Sequence, residues 1–402
     1  MTPSPRSRFH PAAAGLLVTA MTLGCMLCGL TAALMLFPDA LIGRTSYVTR
    51  FQPNQTMALL WKPSDGDVFA ALPGRVRPPA DDSPYVGFEL GWDADGFRVP
   101  AAASATYPIA VFGDSFTEGF AVPKPYPDGL AEILGVGVRN YGYRAYGPVE
   151  VAQVAEEFAA KEPRTWLIWG FFSGNDMGDA LRDPRIDTST PWAAWGAFFT
   201  RFAPPAPTQT PRLGADGQPQ YDFPMPVIIG GNYYELAFVP YYWYWQQAPL
   251  RGFEASRNYA VVREALEALT TVEASACKAL VFIPTKEQLY LPYVHPNSRQ
   301  FLRAVNQRTR LTDSGALTYV EAPVSDADEP AFFESLYGLR DAMRGLTESQ
   351  PGWVFIDLLP AFEDAVARGE LLYYPYDTHW NQAGHDLAAQ VIADAIRATP
   401  GC

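Results

Sequence analysis

The stretch VFGDSFTEGF, residues 111–120, decides how the chain is read. An apolar run that begins near Tyr107 ends here in Gly-Asp-Ser. A short apolar run closed by a turn predicts a buried strand, and Gly113 permits a tight turn at its end. In an open parallel sheet, chemistry collects beyond the carboxyl ends of the strands. Such a strand would deliver Ser115 to that edge, at the start of a helix whose amides favour developing negative charge.

The same pattern recurs on both sides of this stretch. VGVRNYG (136–142) reads as a second strand and RTWLIWGFFSGND (164–176) as a third ending in a polar turn. KALVFIPTK (278–286) and WVFIDLLP (353–360) read as the fourth and fifth. Helical spacing falls at about 127–134, 149–161, 256–276, 297–310, 330–346 and 382–398. Strand alternating with helix predicts a parallel sheet covered by helices on both faces. The rhythm breaks over about 180–253, a stretch crowded with Pro, Gly, Trp and Tyr. Its aromatic run, residues 241–245, reads as a sugar-stacking platform, as a surface resting on lipid headgroups or, preferred, as packing that holds this insertion onto the domain.

A serine hydroxyl is a weak nucleophile and needs a base, an orienter for that base, and donors for the oxyanion. YDTHWNQAGH (376–385), between the last strand and the last helix, offers His379 as base and Asp377 as orienter. Asn175 can present side-chain amide hydrogens to an oxyanion. Each piece alone is an ordinary turn or cap. Together they follow the first, fifth and third strands, so one sheet edge would gather them. Asp114, Thr285 and Lys286 border the same edge and are candidates for lining the substrate. Lys286 reads equally well as a cation for an anionic substrate or as a solvent-facing side chain. The four histidines lack a cysteine cluster or a metal-ligand spacing, so neither metal nor cofactor is expected.

With these motifs in place, the chain resembles the SGNH (GDSL-type) hydrolases. GDSFTEG (113–119) is similar to their nucleophile block and NYGYRAYG (140–147) to their glycine block. SGND (173–176) is similar to the asparagine block and DTHWNQAGH (377–385) to the Asp-His block. DGFR (95–98) also recurs upstream of such domains. The resemblance covers roughly 107–180 and 278–398, with the four blocks in the family's order. It implies a flavodoxin-like three-layer α/β/α sandwich around a parallel sheet, and ester or acyl chemistry without a metal. It implies Ser115 as nucleophile, His379 as base and Asp377 as its orienter. The implied oxyanion hole is the Ser115 amide, the Asn175 side chain and the amide of residue 145. That last position is usually glycine and is Ala145 here, which keeps the N–H but resists positive φ. One residue separates Asp377 from His379, where many members have two. This Asp-x-His-Trp form resembles that of the SGNH-like alginate O-acetyltransferases.

The first residues add a location. From residue 12 to residue 37 no side chain is charged. As a helix this run would extend about 39 Å, enough to cross a hydrocarbon core of about 30 Å. Arg6 and Arg8 precede it, so the positive-inside rule keeps the N-terminus cytoplasmic and exports the rest. The run is long for a signal peptide, so a retained anchor is expected. The organisation read from the sequence is a tail (1–11), an anchor (12–37), a stalk and approach segment (38–105), and a hydrolase-like domain (106–400) with its insertion. The chain has 402 residues, 48% hydrophobic, with a net charge of −13. That suits a large core and argues against a nucleic-acid partner.

The expected function is a membrane-anchored, extracytoplasmic serine esterase that removes an acyl group, expected to be acetyl, from a carbohydrate or small ester. Two alternatives stand beside it. One is an O-acyltransferase acting with envelope polysaccharide machinery. The other is a non-catalytic envelope-complex protein with a relict site.

Overall fold

The computed structural model describes residues 11–37, 51, 53–61, 86–119, 122–181, 190–200, 223–239, 241–246, 252–272, 277–295, 307–311, 317–321, 329–375 and 377–399. In chain order it begins with α1 (Pro11–Leu36), β1 (Thr56–Trp61) and β2 (Val86–Gly91). The main sheet opens with β3 (Ile109–Gly113), followed by α2 (Ser115–Glu118), α3 (Tyr126–Leu134), β4 (Val138–Gly142), α4 (Pro148–Phe158), β5 (Trp166–Phe172) and α5 (Asp176–Asp179). The insertion holds α6 (Pro191–Thr200), β6 (Phe223–Ile229), β7 (Asn232–Phe238) and α7 (Tyr241–Gln246). Next come α8 (Arg257–Val272), β8 (Cys277–Ile283), α9 (Lys286–Tyr290), β9 (Gln307–Leu311) and β10 (Leu317–Glu321). The chain closes with α10 (Glu329–Ser335), α11 (Gly338–Glu348), β11 (Trp353–Asp357), α12 (Leu359–Ala367) and α13 (Gln382–Arg397).

The chain divides into two units, 1–47 with 184–209, and 48–183 with 210–402. In the first, α1 carries exposed Leu, Val and Met side chains around its surface, while Leu34 is buried against Ala194 of α6. Helix α6 has ten residues and none is charged.

In the second unit, five parallel strands lie in the order β4-β3-β5-β8-β11. Numbered by their sequence order that is 2-1-3-4-5, the flavodoxin-like arrangement. The strands are apolar on both faces because both faces are covered. Val111, Ile168 and Val281 pack under α3, α12 and α13. Phe112, Trp169 and Leu280 alternate with them and pack under α4, α8 and α11. The fold is therefore the expected three-layer α/β/α sandwich.

Two segments depart from the sequence reading. Part of the stretch read as stalk is built into this unit: β1 and β2 form an antiparallel hairpin, and Phe97 enters the core under α4. The expected helix at 297–310 ends instead in strand β9, paired antiparallel with β10, while residues 296–306 lie outside the described residues. Short polar runs carry little intrinsic preference, and cross-strand pairing overrides it. The insertion contributes to the core as expected: β6 and β7 supply Met225, Val227, Leu236 and Phe238, and Tyr242 and Trp245 of the aromatic run are buried.

Candidate active site

In a 2-1-3-4-5 sheet the crevice opens between the first and third strands, where connections leave in opposite directions. Here those are β3 and β5. Ser115 follows the first and Asn175 the second, so the topology alone puts them on either side of that opening. The β3 turn is tight. Gly113 sits at φ +152°, and a side chain there would collide with Thr117 Oγ1 and with the Gly170 carbonyl at 2.7 Å. Asp114 caps α2, its Oδ1 accepting from the Phe116 amide at 2.9 Å.

The loop before α13 approaches from the other side. Tyr373 pairs with Trp380 in an antiparallel bridge, and Asn381 caps α13 by accepting from the Gly384 amide at 3.1 Å. Between them, His379 Nε2 lies 2.7 Å from Ser115 Oγ and Nδ1 lies 2.6 Å from Asp377 Oδ1. The His379 backbone amide donates to the same carboxylate oxygen at 2.8 Å. A carboxylate can only accept, so Nδ1 carries the proton and Nε2 is free to accept from the serine hydroxyl. The His379 ring also packs on Phe116, with centroids 5.0 Å apart. Asp377 is buried, while Ser115 and Asn175 remain partly exposed.

Asn175 Oδ1 is buried without a partner. Its side-chain nitrogen makes no hydrogen bond to a described residue, which leaves a donor on a partly exposed side chain at the end of β5. Ala145 has φ +64°, the left-handed conformation in which an alanine Cβ is strained. A glycine there would relieve that strain. Ala145→Gly should raise stability by up to about 1 kcal/mol at nearly unchanged turnover. Thermal unfolding read beside turnover checks this, and a loss of stability would mean the Cβ has a packing role that outweighs its strain. Proline at 145 is no test of the amide, because a φ fixed near −65° would break the turn itself.

Several side chains hold these loops in place, and the sequence reading missed most of them. Glu118 accepts from the Arg144 backbone amide at 2.7 Å and from its guanidinium at 2.6 and 3.2 Å. It ties the 143–147 turn to the serine helix. Arg98, of the DGFR run, donates to the carbonyls of Glu118, Val122 and Pro123 just beyond that helix. Gln246 donates to the Ser173 carbonyl at 3.0 Å and Asn258 to that of Met177 at 2.6 Å, which fixes the turn bearing Asn175.

The three residues expected to line the substrate are corrected by their burial. Asp114, Thr285 and Lys286 are 1%, 0% and 1% exposed. Thr285 caps α9, its hydroxyl accepting from the Gln288 amide at 3.1 Å. Lys286 is turned inward. Its ammonium donates to the carbonyls of Tyr374, Pro375 and Asp377 at 2.7, 2.6 and 3.0 Å. The Ala237 amide at the end of β7 donates to the Pro375 carbonyl at 2.8 Å, so the insertion buttresses the same loop. Lys286→Met would leave those carbonyls without this donor. We expect a stability loss of about 3 kcal/mol and a kcat loss of about 10²-fold as His379 drifts. Unfolding and turnover together check it; full kcat in a folded variant would mean the loop holds itself.

Asp114 also has an unpartnered buried oxygen, Oδ2, and Asp176 another, Oδ1. Burial pushes the Asp114 carboxyl up to about 7, with Asp179 adding to it and the Phe116 amide and His379 opposing. Asp176 is raised well above the usual carboxylate range by burial and by the charges of Asp114, Asp179 and Glu150. Groups raised in this way favour the fold while protonated. The stability they confer is complete below about pH 4 and is lost as pH rises through about 7. Moving one carboxyl from 3.8 to about 7 is worth up to about 4 kcal/mol. Unfolding temperature should therefore fall between pH 5 and pH 8, and Asp114→Asn should flatten that fall. Parallel curves for the two proteins would assign the slope elsewhere.

The geometry can be set beside known proteins. Residues 346–402, which hold Asp377 and His379, match the family described as SGNH hydrolase-like domain, acetyltransferase AlgX. No curated protein matches the chain by sequence. Among solved structures, a member of the lipolytic G-D-S-L family from Veillonella parvula is 13% identical, with 73% of this chain and 100% of that one covered and a TM-score of 0.36. A carbohydrate esterase family 2 enzyme from Corynascus thermopiles (Myceliophthora fergusii) is 10% identical, covers 86% and 91%, and scores 0.35. An acetyl xylan esterase from Butyrivibrio proteoclasticus is 11% identical, covers 79% and 70%, and scores 0.31. The matched segment is thus similar to the C-terminal part of an SGNH hydrolase-like domain, and it holds the Asp377–His379 pair of the site.

Proposed function

We propose that the protein is a membrane-anchored, extracytoplasmic serine esterase that removes an acetyl group from a carbohydrate or small ester. The observation that carries this reading is the continuous contact Ser115 Oγ, His379 Nε2, His379 Nδ1, Asp377 Oδ1, at 2.7 and 2.6 Å. Ser115 Oγ attacks the ester carbonyl carbon and its proton passes to His379 Nε2. The Ser115 and Ala145 amides and the Asn175 side chain receive the oxyanion. The carbon–oxygen bond to the alcohol then breaks, and His379 returns the proton to that leaving group. Water, deprotonated by His379 Nε2, attacks the acyl-serine carbonyl; the bond from that carbon to Ser115 Oγ breaks, His379 returns the proton to Oγ, and the acid is freed. Asp377 holds the imidazole in the required tautomer and balances its transient positive charge.

Three features support the location. Val18–Leu36 is long and apolar enough to cross a membrane by length and composition. Helix α1 has a tertiary partner in α6, as a retained helix would. Cys277 is disulfide-bonded, which suits an oxidising compartment.

A second reading, transfer of the acetyl group to a polysaccharide hydroxyl within envelope machinery, is favoured by the name of the matched family. The two share the acyl-serine and differ in what attacks it. Purified full-length protein given an activated acetyl ester should release acetate in water. Adding an oligosaccharide separates the readings: unchanged acetate supports the esterase, and acetylated sugar formed at the expense of acetate supports the transferase. No acetyl release and no transfer, across a panel of acetylated sugars, would defeat both.

A further inference from the structure

Helix α6 is not explained by ester chemistry. It is apolar all round, and such a helix belongs in a protein core or in lipid. One face is accounted for. Ala194, Trp195 and Phe198, at positions i, i+1 and i+4, pack beside Leu34 and Met35 of α1. The Trp195 indole donates to Thr31 Oγ1 at 2.8 Å. The other face is not. Trp192 and Phe199, two turns apart, are 88% and 62% exposed. No described residue covers them. Phe199 is also held against Trp195, with ring centroids 5.6 Å apart.

The position along α1 says what covers this face. The apolar span ends at Leu36. At about 1.5 Å per residue, Leu34 lies about 3 Å and Thr31 about 8 Å inside that end. Helix α6 is therefore docked on the outermost stretch of the span. That is the depth of the boundary between acyl chains and headgroups, where Trp collects and where interfacial helices bury their apolar faces. The α1 surface above and below is itself exposed and apolar, with Met26, Leu27 and Leu36 at 67%, 57% and 71%. The apolar surface is thus continuous from one helix to the other. Charged residues of both signs, Arg182, Asp183, Arg185, Asp187 and Arg201, flank the uncharged α6 in sequence and suit a headgroup region.

We infer that α6 is a second lipid contact, docked on the anchor and inserted by Trp192 and Phe199 into the outer boundary of the bilayer. The chain on both sides of it belongs to the hydrolase unit, so the chain meets the membrane twice, at the anchor and through the insertion. The inference rests on the anchor reading, and its test must tell the two apart.

The test uses the full-length chain in phosphatidylcholine–phosphatidylglycerol vesicles. Cys25 and Cys28, which are free, are replaced by alanine. Single reporter cysteines are then made as Trp192→Cys, Phe199→Cys or, inside the span, Leu23→Cys, and carry an environment-sensitive nitrobenzoxadiazole dye. The α6 dyes should emit to the blue of their aqueous value. Lipid bearing a shallow nitroxide should quench them several-fold more than lipid bearing a deep one, and aqueous iodide should have little effect. The Leu23 dye should show the reverse preference, for the deep nitroxide. Iodide quenching of the α6 dyes, with the Leu23 dye still in lipid, would overturn the inference and leave the anchor standing. An aqueous Leu23 dye would overturn the anchor, and the inference with it. Shielding of the α6 dyes from both quenchers would mean that a second copy of this chain covers the face, and would overturn the inference as well.

Discussion

Replacing Ser115 with alanine should lower kcat on acetyl esters by about 10⁶-fold and leave the unfolding temperature nearly unchanged. The hydroxyl is partly exposed, and the contact it makes is the one to His379 Nε2. Its loss empties no core position. What disappears is the bond-forming atom, so the oxyanion donors have nothing attached to stabilise. Any residual rate would come from water attacking bound substrate directly. KM should move little, because the hydroxyl adds little to ground-state binding. A loss of only a few-fold would assign the chemistry to another nucleophile.

Asp377→Asn should cost about 10⁴-fold in kcat. The single oxygen Oδ1 accepts from both the backbone amide and Nδ1–H of His379, so an asparagine carbonyl can preserve the loop. The negative charge is what goes. Asp377 is 3% exposed, and solvent cannot replace that charge when the imidazole becomes cationic. KM should hold while kcat falls, since this carboxylate lies behind the histidine. Unchanged kcat would mean that orientation of the ring alone suffices, and that the carboxylate's charge plays no part.

How much of this was legible before the fold was known varies by residue. Ser115, Asn175, Asp377 and His379 stood out because each closes or follows an apolar run, and such runs mark strands buried on both faces. Their meeting point follows from strand order, which the block order implied through resemblance and periodicity alone could not give. The strain at Ala145 was also visible, as alanine in a position that favours glycine. Lys286 was not. A lysine after a strand can point to solvent or inward, and its three acceptors are backbone carbonyls 88, 89 and 91 residues further on. Backbone acceptors leave no mark on composition. The same holds for Arg98, whose acceptors are carbonyls 20 to 25 residues away. Glu118 was hidden for a different reason: its partner, Arg144, lies 26 residues on in a separate turn. The charge-free run of α6 was in plain view but had no meaning until α1 was found beside it.

The central claim is that Ser115 carries the acyl group, and it holds for hydrolysis and transfer alike. The most direct measurement is mass spectrometry of the protein, acid-quenched within milliseconds of mixing with an activated acetyl ester and then digested. The account predicts one acetyl adduct, on the peptide containing Ser115, which builds up before steady state and is absent from Ser115→Ala. Turnover without any adduct on that peptide, or an adduct on another side chain that forms at the catalytic rate, would contradict it.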